Sequence, residues 1–193
     1  MKFILLFIIP LAILSCKKED PNDPSPTKSK AADMETVFSE DWDNWRFYLG
    51  DTTVNVTTVF TEDWDNWNFN SDTASGSIQT NFSESWDYWK LTNADYTIIL
   101  RTAFSNDFDN WDIDDANSNW HVDLQTAFNE DWDNWDMVDS DNDISLDIET
   151  FFSEDWDNWQ AYGVFPDSYP LEYRIAVLFV PVMVGVLKLK GII

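Results

Sequence analysis

Sixteen of the 36 acidic side chains in this 193-residue chain fall within six versions of one phrase. TVFSEDWDNW begins at Thr36, TVFTEDWDNW at Thr58, TNFSESWDYW at Thr80, TAFSNDFDNW at Thr102, TAFNEDWDNW at Thr126 and TFFSEDWDNW at Thr150. Oxygen donors at this density suit a hard cation such as Ca2+, or a solvated, self-repelling edge that keeps a protein soluble. Paired carboxylates also serve glycoside hydrolysis, but an active site is one asymmetric place and these acids are spread evenly over six copies. His121 is the only histidine, so Ser–His and metal–His chemistry lack partners, and the five glycines form no phosphate-binding loop. We therefore expect no enzyme. The first tryptophan of the phrase (Trp42, Trp64, Trp86, Trp132, Trp156) sits among the acids and, if exposed on a loop, would stack on sugar rings. The competing reading is packing, favoured by the fourth copy, where Phe108 keeps the bulk and loses only the indole N–H.

One acidic stretch lies outside the phrases. Asp139-Ser140-Asp141-Asn142-Asp143 resembles the start of an EF-hand loop, with Ile144 where that family has Gly and Thr150 where it has Glu. The resemblance implies Asp139, Asp141 and Asp143 as candidate Ca2+ ligands.

The elements that must carry these groups follow from spacing. The phenylalanines Phe38, Phe60, Phe82, Phe104, Phe128 and Phe152 are separated by 22, 22, 22, 24 and 24 residues, the mark of one supersecondary unit repeated. Ahead of each phenylalanine the pattern alternates, as in Val54, Val56, Thr58, Phe60 and in Ile98, Leu100, Thr102, Phe104. Behind the phrase, Trp67 and Phe69, Trp89 and Leu91, Trp111 and Ile113, and Trp135 and Met137 alternate again. Each repeat reads as strand, short loop, strand. Phenylalanine and the second tryptophan are expected to pair as core, and the Asn near the phrase's end (Asn44, Asn66, Asn110, Asn134, Asn158) to take a left-handed turn position. Tyr88 departs from that rule, which predicts strain or a different turn in the third copy. A helix N-cap in the loop fits the same residues.

The two longer repeats grow by an even number, which keeps every side chain on its face of an antiparallel hairpin. The fold class is therefore all-β: about six tandem 22–24-residue hairpins in an antiparallel meander, curled to cover the aromatic face, with a β-solenoid as the alternative. Hairpins stack about 10 Å apart, where repulsion between loops is tolerable, whereas solenoid coils stack about 5 Å apart and would need cations between their carboxylates.

A formal net charge of −25 excludes nucleic acid and anionic lipid headgroups as partners. MKFILLFIIPLAILSC has one basic residue and then an apolar run too short to span a bilayer. Ile13-Leu14-Ser15-Cys16 resembles the lipobox of bacterial lipoproteins, and Lys18, Glu19 and Asp20 resemble the export signal of Bacteroidota surface lipoproteins. The resemblance implies a signal peptide over residues 1–15, lipid attachment at Cys16, and an outer-membrane, cell-surface location. A lone cysteine also excludes an intrachain disulfide. Residues 16–33 read as a flexible tether rich in Pro and Lys, residues 34–162 as the tryptophan-rich repeat domain, and residues 163–193 as an apolar C-terminal cap made of one or two strands or of a short helix ending near Pro181. The functional expectation is a non-enzymatic surface lipoprotein for binding, adhesion or envelope structure, with a glycan or a protein as partner. A calcium-dependent module or a glycan-active protein is the alternative.

Overall fold

The computed structural model describes residues 28–118, 120–139 and 144–193. Twelve strands lie among them: β1 (Lys30–Thr36), β2 (Asn44–Leu49), β3 (Thr52–Thr58), β4 (Asn66–Asn70), β5 (Ser75–Thr80), β6 (Tyr88–Thr92), β7 (Thr97–Thr102), β8 (Asn110–Asp115), β9 (His121–Thr126), β10 (Asn134–Asp139), β11 (Ile144–Thr150) and β12 (Asn158–Gly163). Each pairs antiparallel with its sequence neighbours, and β12 pairs with β1, so the meander closes into a barrel. The solenoid is thereby excluded.

Closure follows from the repeat. Within a repeat the last threonine of one strand faces the second tryptophan of the next, as Thr58 faces Trp67. Between repeats that tryptophan faces an aliphatic residue: Trp45 with Val56, Trp67 with Ile78, Trp89 with Leu100, Trp111 with Leu124 and Trp135 with Ile148. Trp159 faces Met34 across the closing seam, so the sixth repeat meets the first in the register every other pair uses. β1 begins at Lys30, inside the segment that composition assigned to the tether, because Ala32 and Met34 continue the inward alternation and are buried.

Inward positions are mostly apolar, with Asp115, Asp139 and the strand-end threonines Thr102, Thr126 and Thr150 as buried exceptions, and outward ones are mostly polar. Thr53, Asn55, Arg101, Asp123, Gln125 and Glu149 all stand exposed on the outer surface. A membrane-spanning barrel has the opposite pattern, apolar outside.

The C-terminal segment is neither a strand pair nor a short helix. It forms α1 (Leu171–Leu189), which continues through Pro181 and is buried from Glu172 to Leu187 except at half-buried Arg174. Nor does it cover one open end, because it runs through the interior. Near its start, Glu172 accepts a hydrogen bond from Asn93 in the β6–β7 turn (2.6 Å) and the Tyr173 hydroxyl donates to the Ile113 carbonyl on β8 (2.7 Å). Phe179 meets Trp67 and Trp89 edge-on, both at 5.6 Å between ring centroids. Near its end, Lys188 lies over Trp132 and Lys190 over Trp64, both in phrase loops. The helix thus enters at the end of the short turns and emerges at the end of the phrases.

The physical reason is barrel width. About eight strands enclose a space that side chains alone can fill, and twelve leave room for a further element. A helix apolar on every side is the element that fits such a space. At about 1.5 Å per residue α1 rises about 28 Å, longer than the strands, so both its ends reach the rims. No helix among the described residues is long and apolar enough to cross a membrane.

Candidate functional site: the phrase rim

The six phrases form six equivalent loops around one end of the barrel. In the first, the Asp41 N–H bonds the Phe38 carbonyl (2.9 Å), the Asn44 N–H bonds the Asp41 carbonyl (3.1 Å) and the Val37 N–H bonds the Asn44 carbonyl (2.9 Å). The third residue of the 38–41 turn, Glu40, has φ 61°, as a type II turn requires. Glu62, Glu84, Asn106, Glu130 and Glu154 repeat this at 59–60°. The left-handed residue is therefore the acid in the loop's middle and not the expected Asn, which starts the next strand. Asn44, Asn66, Asn110 and Asn158 instead donate side-chain hydrogen bonds to the aspartate three residues earlier. In the third copy both partners change together, to Ser85 and Tyr88, and the turn is unaltered, with Glu84 at φ 59°. Tyr88 causes no different turn. No loop contains a helix.

A left-handed backbone at Glu costs about 1–2 kcal/mol. What offsets it comes from the neighbouring repeat. The aspartate before the phrase's last Asn-Trp reaches across to the next loop. Asp43 accepts from the Thr58 hydroxyl (2.6 Å) and the Glu62 N–H (2.8 Å), while its carbonyl accepts the Thr58 N–H (2.9 Å). Asp65 takes Thr80, Ser83 and the Glu84 N–H. Asp109 takes the Thr126 hydroxyl, the Glu130 N–H and the Trp132 indole N–H. Asp133 takes Ser153 and the Glu154 N–H. Asp157 closes the circle onto Thr36, Ser39 and the Glu40 N–H of the first repeat. In the fourth loop, Ser105 bonds Asp87. Burial pushes the Asp133 carboxyl up, but hydrogen bonds from Asp131, Ser153 and the Glu154 N–H outweigh that and hold it below the usual range. Sequence reasoning missed this clasp. Its signal was available, since Thr and this Asp are among the few phrase positions identical in all six copies.

The aromatics divide in a way the alternation did not predict. The second tryptophans (Trp45, Trp67, Trp89, Trp111, Trp135, Trp159) are fully buried around α1. Their indole N–H groups donate to the carbonyl three residues back, as from Trp67 to Trp64 (2.7 Å). The first tryptophans do not stand out on the loops. Trp64 is buried and Trp42, Trp86, Trp132 and Trp156 are half-buried, each packed against the core. The rings that stand out are the phenylalanines, which were expected in the core. Phe38, Phe60, Phe82, Phe104, Phe128 and Phe152 are 68–74 % exposed, because the turn swings them off the inward face.

Two other places gather possible cation ligands, the first expected from sequence and the second seen only in the fold. Asp139 is buried and accepts a hydrogen bond from the Tyr169 hydroxyl at the opposite end of the barrel. Asp141 and Asp143 lie outside the described residues, as do Cys16, Lys18, Glu19 and Asp20. On the outer face of β7–β9, Asp112, His121 and Asp123 bring ligand atoms within 4.8 Å of one another. His121 Nδ1 lies 2.8 Å from Asp114 and Nε2 3.3 Å from Asp123, and Arg101 reaches both Asp112 and Asp114. Burial lowers the imidazole's pKa, but the Asp114 hydrogen bond and the three carboxylates outweigh it and raise it. Arg101 and a protonated His121 already balance much of this acidic patch, which is how an ion-pair network on a sheet surface is built.

Comparison with family models, with curated proteins and with solved structures found no match to this chain.

Proposed function

We propose that this is a non-enzymatic binding protein, a lipoprotein held to the bacterial outer membrane through Cys16, that meets its partner with the phrase rim. The observation that carries this reading is polarity along the barrel. β1 starts at Lys30 at the short-turn end and runs toward the phrases, so the tether leaves from one end and the six exposed phenylalanines occupy the other. A rim turned away from the anchored end faces whatever lies beyond the cell. The filled interior supports the same reading, since α1 occupies the space where a barrel would otherwise hold a small ligand.

The test is in two parts. Expression of the full chain in a Gram-negative host with a labelled fatty acid should label the protein, and Cys16→Ala should abolish labelling. Protease added to intact cells should then remove the barrel from the anchored form. An unlabelled wild-type chain would overturn the lipoprotein reading, and protection from protease would overturn the outward one.

A further inference from the structure

We infer that the phrase rim docks a basic protein segment, its lysine or arginine side chains entering the grooves between loops and its apolar side chains resting on the six phenylalanines. This rests on the rim being the binding surface and adds the chemistry of what it binds.

The first line of argument is internal to the chain. Four phrase positions are identical in all six copies: the opening Thr, the Phe, the Asp seven residues after the Thr, and the final Trp. The structure accounts for three. Thr and Asp form the contact between repeats, and the Trp fills the core. Phenylalanine does neither; it is about seven-tenths exposed in every copy. Folding gives no reason to keep six large apolar rings in water. Together they offer on the order of 800 Å2, about what one partner contributes to a stable protein–protein interface.

The second line concerns the occupant. Each phenylalanine stands beside carboxylates, including exposed Glu40, Glu62, Glu84, Glu130 and Glu154. A second copy docked rim to rim would oppose two acidic rings, and anionic lipid would be repelled for the same reason. A cationic partner is complementary. Between the second and third loops lies a groove of about 460 Å3 lined by Glu62, Asp63, Asp65, Glu84, Trp64 and Trp86, with Ile192 of the C-terminal segment along it. Carboxylates around aromatic faces make a receptor for an ammonium or guanidinium group. The chain already uses the rim this way, with Lys190 Nζ 5.3 Å from the Trp64 ring and Lys188 Nζ 4.5 Å from that of Trp132. Trp64 is buried and its ring already taken by Lys190, so a basic segment would make the equivalent contact on half-buried Trp86, between the Glu62 and Glu84 carboxylates of the same groove.

The experiment titrates the full chain against a fluorescein-labelled amphipathic leucine–lysine peptide, with a leucine–glutamate peptide, phosphatidylcholine vesicles and sedimentation of the protein alone in parallel. The wild type should bind the leucine–lysine peptide only. Replacing all six rim phenylalanines by Ser leaves the charge unchanged and should weaken binding by about tenfold or more. Replacing Glu40, Glu62, Glu84, Glu130 and Glu154 by Gln should weaken it comparably, with a melting temperature near wild type for the Ser variant and no lower than wild type for the Gln variant, which relieves repulsion. Equal peptide binding by wild type and the Ser variant would overturn the proposal, reducing it to bulk charge. Vesicle binding or self-association that the Ser variant loses would overturn the basic partner and keep the rim as the binding surface. No binding to any probe, with no change on removing the rings, would overturn both.

Discussion

Asp109 ties its loop to the next at three points, because one carboxylate satisfies a hydroxyl, a backbone N–H and an indole N–H at 2.8–2.9 Å. Replacing it by Ala leaves those donors without their charged acceptor. We expect Asp109→Ala to destabilise the protein by about 1–3 kcal/mol in denaturant unfolding. Glu40 is the opposite case. Its backbone is left-handed and its side chain exposed, so Glu40→Gly removes strain and loses no packing. The gain, less the greater unfolded-state entropy of glycine, should stabilise by about 0.5–1 kcal/mol. His121 gives a pH signature. Its pKa is raised in the folded state, so its stabilising contribution is complete below the unfolded value near about pH 6.5 and is lost as pH rises through the folded value. The melting-temperature difference between wild type and His121→Asn should therefore be largest at about pH 5–6 and vanish by about pH 9.

At the scale of elements, α1 and the barrel depend on each other. Twelve strands closed around nothing would leave six tryptophans facing a void, and a helix apolar on every side between its charged ends would have no soluble face outside a barrel. The contact is tight where Gly185 passes the seam. A Cβ there would lie 2.8 Å from the Trp156 ring and 3.1 Å from that of Trp159. Gly185→Ala should cost about 1–3 kcal/mol, read by thermal or denaturant unfolding, as an overpacked core does. Both ends of α1 are finished for their surroundings. At the entry, Trp120, Tyr96, Tyr169 and Tyr173 cluster around its first turn. At the exit, Gly191 takes φ 68° and the Ile192 N–H bonds the Leu187 carbonyl (2.9 Å), a Schellman ending. There the negative end of the helix dipole meets an acidic rim, and Lys188 and Lys190 offset that repulsion.

For the whole molecule, charge is the governing term. A barrel of formal net charge −25 is destabilised by self-repulsion that salt screens. Sodium chloride should raise the melting temperature. Calcium at matched ionic strength should add little, because successive loops stand about 10 Å apart, two strand spacings, and one aspartate in each is already committed to its neighbour. A tryptophan-fluorescence melt with calcium and then with excess EDTA measures this, and a large calcium-specific shift would mean that the rim holds ions.

Much of this architecture was legible in the chain. Period-two alternation set the strands and their inward faces, the 22–24-residue spacing set the hairpin unit, and the even insertions kept the register of an antiparallel meander. Those signals are local, and a strand's two faces follow from its own residues. What tertiary structure decided is non-local. That the sheet closes depends on β12 meeting β1 in register, and that the tail becomes a central helix depends on a lumen that exists only after closure. The apolar run from Ile175 to Leu187 suits a strand, a cap or a core helix equally until that lumen is there. The phenylalanines were misplaced for a related reason. Alternation predicts the inward face only while the strand lasts, and a left-handed Glu two residues later turns the chain outward. That conformation is unfavourable in isolation and is held by an aspartate from another repeat, so only the assembled ring could decide it.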